Sequence, residues 1–139
     1  MKPSSALRFF AALLGAAAVA RATETEWPQF RGPTGQGLSN ATNVPVEWSA
    51  NSSNVAWKID VPGRGWSSPV LSHGKLYLTS AVPGSDGGAL TLHALCYDAA
   101  NGQVLWDTEV FRPDPESVAK MHQKNSPASP TPIVTDDRV

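Results

Sequence analysis

The sequence is poor in cysteine, in charge and in long apolar runs. Its single cysteine, Cys96, excludes a disulfide framework and any multi-cysteine zinc or iron–sulfur site within the chain. Charged residues make up only 17%, while 5 tryptophans call for burial, a balance that does not describe a disordered chain. Basic residues do not exceed acidic ones, 11 against 12, so the electrostatic footprint of a nucleic-acid binder is missing. The one extended apolar run, residues 9–20, is shorter than the roughly 20 residues a bilayer span requires.

That run has another reading. Lys2 and Arg8 precede it as a basic region, and Ala20-Arg21-Ala22 follows it as an A-x-A cleavage site. Residues 1–22 therefore read as a secretory signal peptide. The expectation is an exported protein, periplasmic or extracellular, with no membrane span once the signal is cleaved. Cleavage removes Lys2, Arg8 and Arg21 and leaves a mildly acidic chain. An exported chain with one cysteine takes its stability from packing or metals rather than from internal disulfides.

Glycine and proline are plentiful, 11 and 12 residues, and they punctuate the chain as short strands joined by turns require. Residues 23–54 read as a leader without regular structure. Its segment Trp27-Pro28-Gln29-Phe30-Arg31-Gly32-Pro33-Thr34-Gly35-Gln36-Gly37 mixes aromatics with helix and strand breakers, so it is expected to lie across another surface. These glycines lack the G-K-[ST] ending of a phosphate loop.

From residue 55 onward the pattern is all-β. Val55, Trp57, Ile59 and Val61 alternate onto one face, and Pro62-Gly63-Arg64-Gly65 is a turn. Residues 68–72 and 75–79 flank His73-Gly74 as a hairpin. Leu90, Leu92, Ala94 and Cys96 share a face of the next strand, and Asn101-Gly102 leads from it into residues 103–110. Residues 115–123 form one or two helical turns at most.

A repeat lies within this pattern. Pro69-Val70-Leu71-Ser72-His73-Gly74-Lys75-Leu76 matches Pro132-Ile133-Val134-Thr135-Asp136-Asp137-Arg138-Val139 position by position, and residues 57–61 are echoed by residues 106–110. Residues 111–126 are then an insertion between units. Four short strands per repeat is the pattern of a β-propeller blade. Residues 55–139 are thus expected to hold about two four-stranded antiparallel blades of a propeller that closes with seven or eight. The second copy stops in mid-strand at Val139, as in the N-terminal piece of a longer protein.

Cys96-Tyr97-Asp98-Ala99-Ala100-Asn101-Gly102-Gln103-Val104-Leu105-Trp106 resembles the blade motif of the PQQ-like, quinoprotein-type β-propeller repeat family, approximately A-x-D-x-x-T-G-x-x-x-W. Asp98, Gly102 and Trp106 match, Cys96 stands at the small alanine position and Asn101 at the threonine. Trp57 is the equivalent tryptophan of the preceding unit. The opening Trp27-Pro28-Gln29-Phe30-Arg31-Gly32-Pro33 is similar to the start of exported propellers of this kind, including the BamB-type outer-membrane assembly scaffolds. The resemblance implies a blade in which Asp98 bonds turn amides, Gly102 supplies a positive φ and Trp106 packs between blades.

The same resemblance reaches two kinds of protein. The reading adopted is a non-catalytic binding or assembly scaffold, with a protein or an extracytoplasmic polymer as partner. The alternative is a PQQ- and calcium-dependent alcohol or sugar dehydrogenase, which implies PQQ, calcium and an aspartate base, none of them placeable on these residues. A third, a carbohydrate-binding propeller, would use exposed tryptophans as stacking platforms. No nucleophile-elbow, zinc-protease or Walker motif occurs. Among single residues, His73 is expected in an exposed turn and His93 as a satisfied structural histidine. Cys96 is expected as a core hydrophobe, and Asp136-Asp137 as a turn. The insertion gathers Arg112, Asp114, Glu116, Lys120, His122 and Lys124. Arg112, His122 and Lys124 are its candidate binding residues.

Overall fold

The computed structural model describes residues 26–42, 44–49, 51–84 and 89–139. The expected signal peptide, residues 1–22, lies outside the described residues.

The chain is mostly strand. One four-stranded antiparallel sheet runs in the order β1 (Val70–Ser72), β2 (Lys75–Val82), β3 (Thr91–Asp98) and β4 (Val104–Phe111). The first hairpin turns at His73-Gly74, whose φ values of 50° and 71° are those of a two-residue primed turn. The β3–β4 turn closes with Gly102 N–H on the Asp98 carbonyl at 2.8 Å, while Asp98 N–H reaches the Gln103 carbonyl at 2.8 Å. Two register shifts mark the β3–β4 ladder, so Leu105 and Val110 are bulged residues without a partner.

Each face of the sheet carries an apolar row crossing all four strands. Val70, Tyr77, Cys96 and Trp106 are successive cross-strand partners on one face. Leu71, Leu76, Tyr97 and Val104 are successive partners on the other. A half-solvated antiparallel sheet has only one such face. Irregular chain covers the β1–β3 part of both, and the β4 members Val104 and Trp106 stay exposed. Val134 joins Val70, Tyr77 and Cys96 in the core of the first face. Thr79 Oγ1 on the same face donates to the Pro130 carbonyl at 3.0 Å.

The second face is crossed by residues 57–63. The Trp57 indole N–H donates to the Ala99 carbonyl at 3.0 Å, and Ser80 Oγ donates to the Pro62 carbonyl at 2.5 Å. The expected strand over residues 55–61 keeps its alternating burial over residues 55–60, with Val61 exposed, and joins no ladder. It is held to the sheet by the Trp57 side chain at one end and by the Pro62 carbonyl at the other. That is a different use of period-two patterning from the one the sequence predicts.

The leader closes the remaining side of β1. Trp27 and Leu71 exchange both backbone hydrogen bonds, at 2.6 and 2.9 Å. The next leader carbonyl, Pro28, accepts from Val134 N–H at 2.8 Å. Leu71 and Val134 are equivalent positions of the sequence repeat, so the leader runs between its two copies. The turn is repeated too. Ser72 pairs with Lys75 in the first copy, and Thr135 N–H donates to the Arg138 carbonyl at 2.9 Å in the second. β4 is exposed along its whole length and forms the open edge of the sheet.

Glycines permit two tryptophan contacts. A Cβ on Gly102 would lie 2.7 Å from the Trp57 ring, and one on Gly32 would lie 2.7 Å from the Trp27 ring. Gly102 has a φ of 75° as well, so it is constrained twice. Gly74 has a φ of 71° but open space around it. Gly102→Ala should therefore cost ~2–4 kcal/mol of stability and Gly74→Ala only ~1 kcal/mol, read as the difference in urea midpoints at constant m.

Cys96 is fully buried, and burial pushes its thiol pKa up. A thiol reagent should label the native protein at the rate of global opening, and urea beyond the unfolding midpoint should restore rapid labelling. Fast labelling without denaturant would contradict the packing.

Candidate functional site

The blade-motif residues form one connected structural group. Asp98 Oδ1 accepts from Ala100 N–H at 2.8 Å, and Asn101 Oδ1 accepts from Gln103 N–H at 2.8 Å, which together shape the turn into β4. Gly102 lies under Trp57. Trp106 meets Tyr77 with ring centroids 5.9 Å apart and planes tilted by 54°, and Cys96 stands between these two in the cross-strand row. The tilted geometry is a favourable aromatic arrangement. Every member is engaged with its neighbours, and the group holds no free nucleophile.

Two polar clusters imitate catalytic ones. Ser72 Oγ donates to Glu26 Oε2 at 2.6 Å, His73 N–H donates to Glu26 Oε1 at 2.9 Å, and Ser72 Oγ lies 2.9 Å from His73 Nδ1. The hydroxyl's only proton is on the carboxylate, so the imidazole donates to this oxygen instead of taking its proton. An activated serine needs the opposite order. The cluster ties the leader to the first hairpin turn. Those two hydrogen bonds hold the Glu26 carboxyl below its ordinary value of 4.5.

On the second face, His93 Nδ1 lies 2.5 Å from Asp107 Oδ1, and Nε2 lies 2.9 Å from Thr91 Oγ1. An aspartate only accepts, so the ring carries a proton on Nδ1, while the single Thr91 hydroxyl proton is shared between two acceptors, Nε2 and the Val82 carbonyl at 3.3 Å. This order of atoms is that of a hydrolase relay. Thr91 is buried, however, and none of the four clefts found among the described residues includes it. The relay fixes β3 to β4.

The insertion does not act as one cluster. Asp114 caps the short helix α1 (Pro115–Ala119), accepting from Ser117 N–H at 2.9 Å, and Pro115 suits its first turn. That capping bond lowers the Asp114 pKa. Arg112 turns back to Glu109 on β4 at 3.0 Å, and Lys120 pairs with Glu116 at 2.8 Å, both on the exposed surface. Of the three candidate binding residues, only His122 lines a cleft, and Lys124 contributes a backbone N–H to His122 Nδ1 at 3.1 Å.

That cleft has a volume of about 530 Å³, and its opposite wall is the segment Arg64-Gly65-Trp66. A second cleft of about 460 Å³ adjoins it, lined by Phe30, Ser68, Thr131 and Ile133 among others, and Trp66 is common to both. The walls are pinned by backbone bonds. Arg64 and Ala81 exchange hydrogen bonds at 3.0 and 2.8 Å, and the Ala128 carbonyl accepts from Trp66 and Ser67 N–H at 3.0 and 3.1 Å. Gly65 lets the strands close, since a Cβ there would lie 3.0 Å from the carbonyl oxygens of Thr79 and Ala128. The Trp66 ring itself remains 67% exposed.

Arg64 and Trp66 are the site residues the sequence reading missed. The motif Gly63-Arg64-Gly65-Trp66 reads locally as a turn. Its role depends on residues 118–127, more than fifty positions further along the chain. The available signal is a tryptophan and an arginine spaced by glycines, a costly pair to place in an ordinary turn.

Among the described residues, no three His, Cys, Asp or Glu side chains group to hold a metal ion. The two clefts at Trp66 hold no carboxylate. No step through PQQ or calcium is placed on these described residues. Among the described residues, no helix is long and apolar enough to cross a membrane. No family model, curated protein or solved structure matches the chain.

Because the Glu26 carboxyl lies below 4.5 when bound, its contribution to holding the leader is complete above that value and is lost as pH falls through the bound-state pKa. The carboxyl carbon resonance of Glu26 should titrate with a midpoint below 4.5, and protection of the Leu71 amide should fall with it. Glu26→Gln should abolish the pH dependence of that protection.

Proposed function

We propose that this chain belongs to an exported PQQ-like β-propeller that works as a non-catalytic binding or assembly scaffold. The observation that carries the reading is a four-stranded antiparallel sheet apolar on both faces, which fits a blade stacked between neighbours. The equivalent backbone bonding of Leu71 and Val134 to consecutive leader residues supports a repeated unit. The signal-like residues 1–22 support export. The partner is a protein or an extracytoplasmic polymer.

The reading is non-catalytic because each histidine with a neighbouring hydroxyl or carboxylate is committed to a structural bond. The competing reading is a PQQ- and calcium-dependent alcohol or sugar dehydrogenase, and its chemistry would reside in residues beyond those described. The purified product of the complete gene, supplied with PQQ and calcium, should show no alcohol or sugar oxidation and no rise in Tm. Dye reduction with either substrate class, or a PQQ-dependent rise in Tm, would establish the dehydrogenase and overturn the scaffold.

A further inference from the structure

We infer that the paired clefts around Trp66 bind an acidic oligosaccharide, with a uronate residue in the cleft of Arg64 and His122 and a neutral residue in the cleft of Phe30. The inference concerns only these described residues and does not rest on closure of a propeller.

Charge comes first. The larger cleft contains Arg64 and His122 and no carboxylate. The Arg64 guanidinium makes no hydrogen bond or ion pair with the described residues, although its backbone is fixed to Ala81 on both sides. A planar fork of donors on a rigid backbone matches a carboxylate. His122 adds a second donor: Nδ1 accepts the Lys124 N–H, so the proton of the neutral ring is on Nε2. The free chemistry of this wall therefore favours an anion.

The remaining groups select the body of that anion. Gln123 has both amide functions unengaged, and Asn125 uses its oxygen on Ser126 N–H and Ser129 Oγ while its amide N–H groups stay free. Side-chain amides give and take hydrogen bonds with hydroxyls, which a simple aliphatic or aromatic carboxylate does not have. The broad exposed face of Trp66 suits the apolar C–H face of a sugar ring. Its backbone anchor on Ala128 fixes the main chain from which the ring projects and leaves the ring surface open.

The adjoining cleft extends the same platform. It holds no Asp, Glu, Lys, Arg or His, and offers Phe30 with the hydroxyls of Ser68, Ser129 and Thr131. Ser129 spends its proton internally, whereas Thr131 Oγ1 accepts from Ser68 N–H and retains its own proton to donate. A neutral, hydroxyl-rich unit fits there. One chain crossing Trp66 would meet the acid-binding cleft on one side and the neutral one on the other.

The test uses an aldobiouronic acid, one uronate joined to one neutral hexose, titrated calorimetrically into the whole chain, beside its methyl ester and benzoate. Saturable binding is expected, with at least tenfold weaker binding of the methyl ester and of benzoate. Arg64→Gln should lose at least tenfold in affinity while keeping its circular dichroism and Tm, since this side chain has no internal partner. Trp66→Phe should lose less affinity than Trp66→Ala, a graded response that stacking produces and misfolding does not. No binding by the folded protein, equal binding of the methyl ester or benzoate, or unchanged affinity in Arg64→Gln would overturn the assignment. Displacement of the aldobiouronic acid by an acidic peptide at equal concentration would overturn it too, in favour of a peptide-binding surface.

Discussion

A sheet that is apolar on both faces must be covered by chain that has no ladder of its own, and that chain must still satisfy its backbone polar groups. This constraint organises the described structure. Residues 57–63 meet it at the Pro62 carbonyl, which accepts the Ser80 hydroxyl, and are tied to the sheet at the other end by the Trp57 indole on the Ala99 carbonyl. Residues 126–134 meet it through the Ala128 carbonyl, shared by two amides, and through Val134 bound to the leader. The leader meets it by pairing Trp27 with Leu71. Each covering segment is thus anchored at a few points, and between them side-chain packing supplies the adhesion. Gly32 and Gly102 are where backbone and tryptophan ring approach closely, and Gly65 is where the backbone meets the carbonyls of Thr79 and Ala128.

The candidate binding surface is a by-product of this arrangement. Gly65 allows residues 63–67 to pass against residues 126–130, and the crossing fixes Trp66 with its ring outward. Arg64 is carried to the same place because its own backbone N–H and carbonyl are bonded to Ala81. A long insertion then supplies the opposite wall with His122, Gln123 and Asn125. Rigid backbone and unspent side chains occur together here, whereas the serine–histidine and threonine–histidine clusters have spent their protons on holding elements together.

Local signals in the sequence were enough to locate both hairpins. His73-Gly74 and Asn101-Gly102 carry the positive-φ chemistry their turns require, and Cys96 was legible as core because its neighbours at 92 and 94 share its face. The alternation at residues 55–61 was legible as burial but not as pairing, since period two reports which side chains face inward and not whether a strand lies alongside. The dispersal of Arg112 and Lys124 was hidden for a related reason. Proximity in sequence collects charges into an apparent cluster, whereas Arg112 goes to Glu109, Lys120 goes to Glu116, and Lys124 contributes only its backbone N–H. The Trp66 surface was illegible because its two walls meet only through tertiary structure.

The bulged edge strand β4 bears on how the protein behaves at high concentration. Leu105 and Val110 interrupt its register at either end, so only a short stretch between them is flat enough to template another strand. That stretch carries Asp107 and Glu109, and an antiparallel copy of itself would bring acid against acid. Runaway polymerisation through this edge is therefore discouraged even though Trp106 and Phe111 leave it greasy. Any strand that does complete the sheet has to differ from β4, tolerate two kinks and present basic or neutral side chains to its centre.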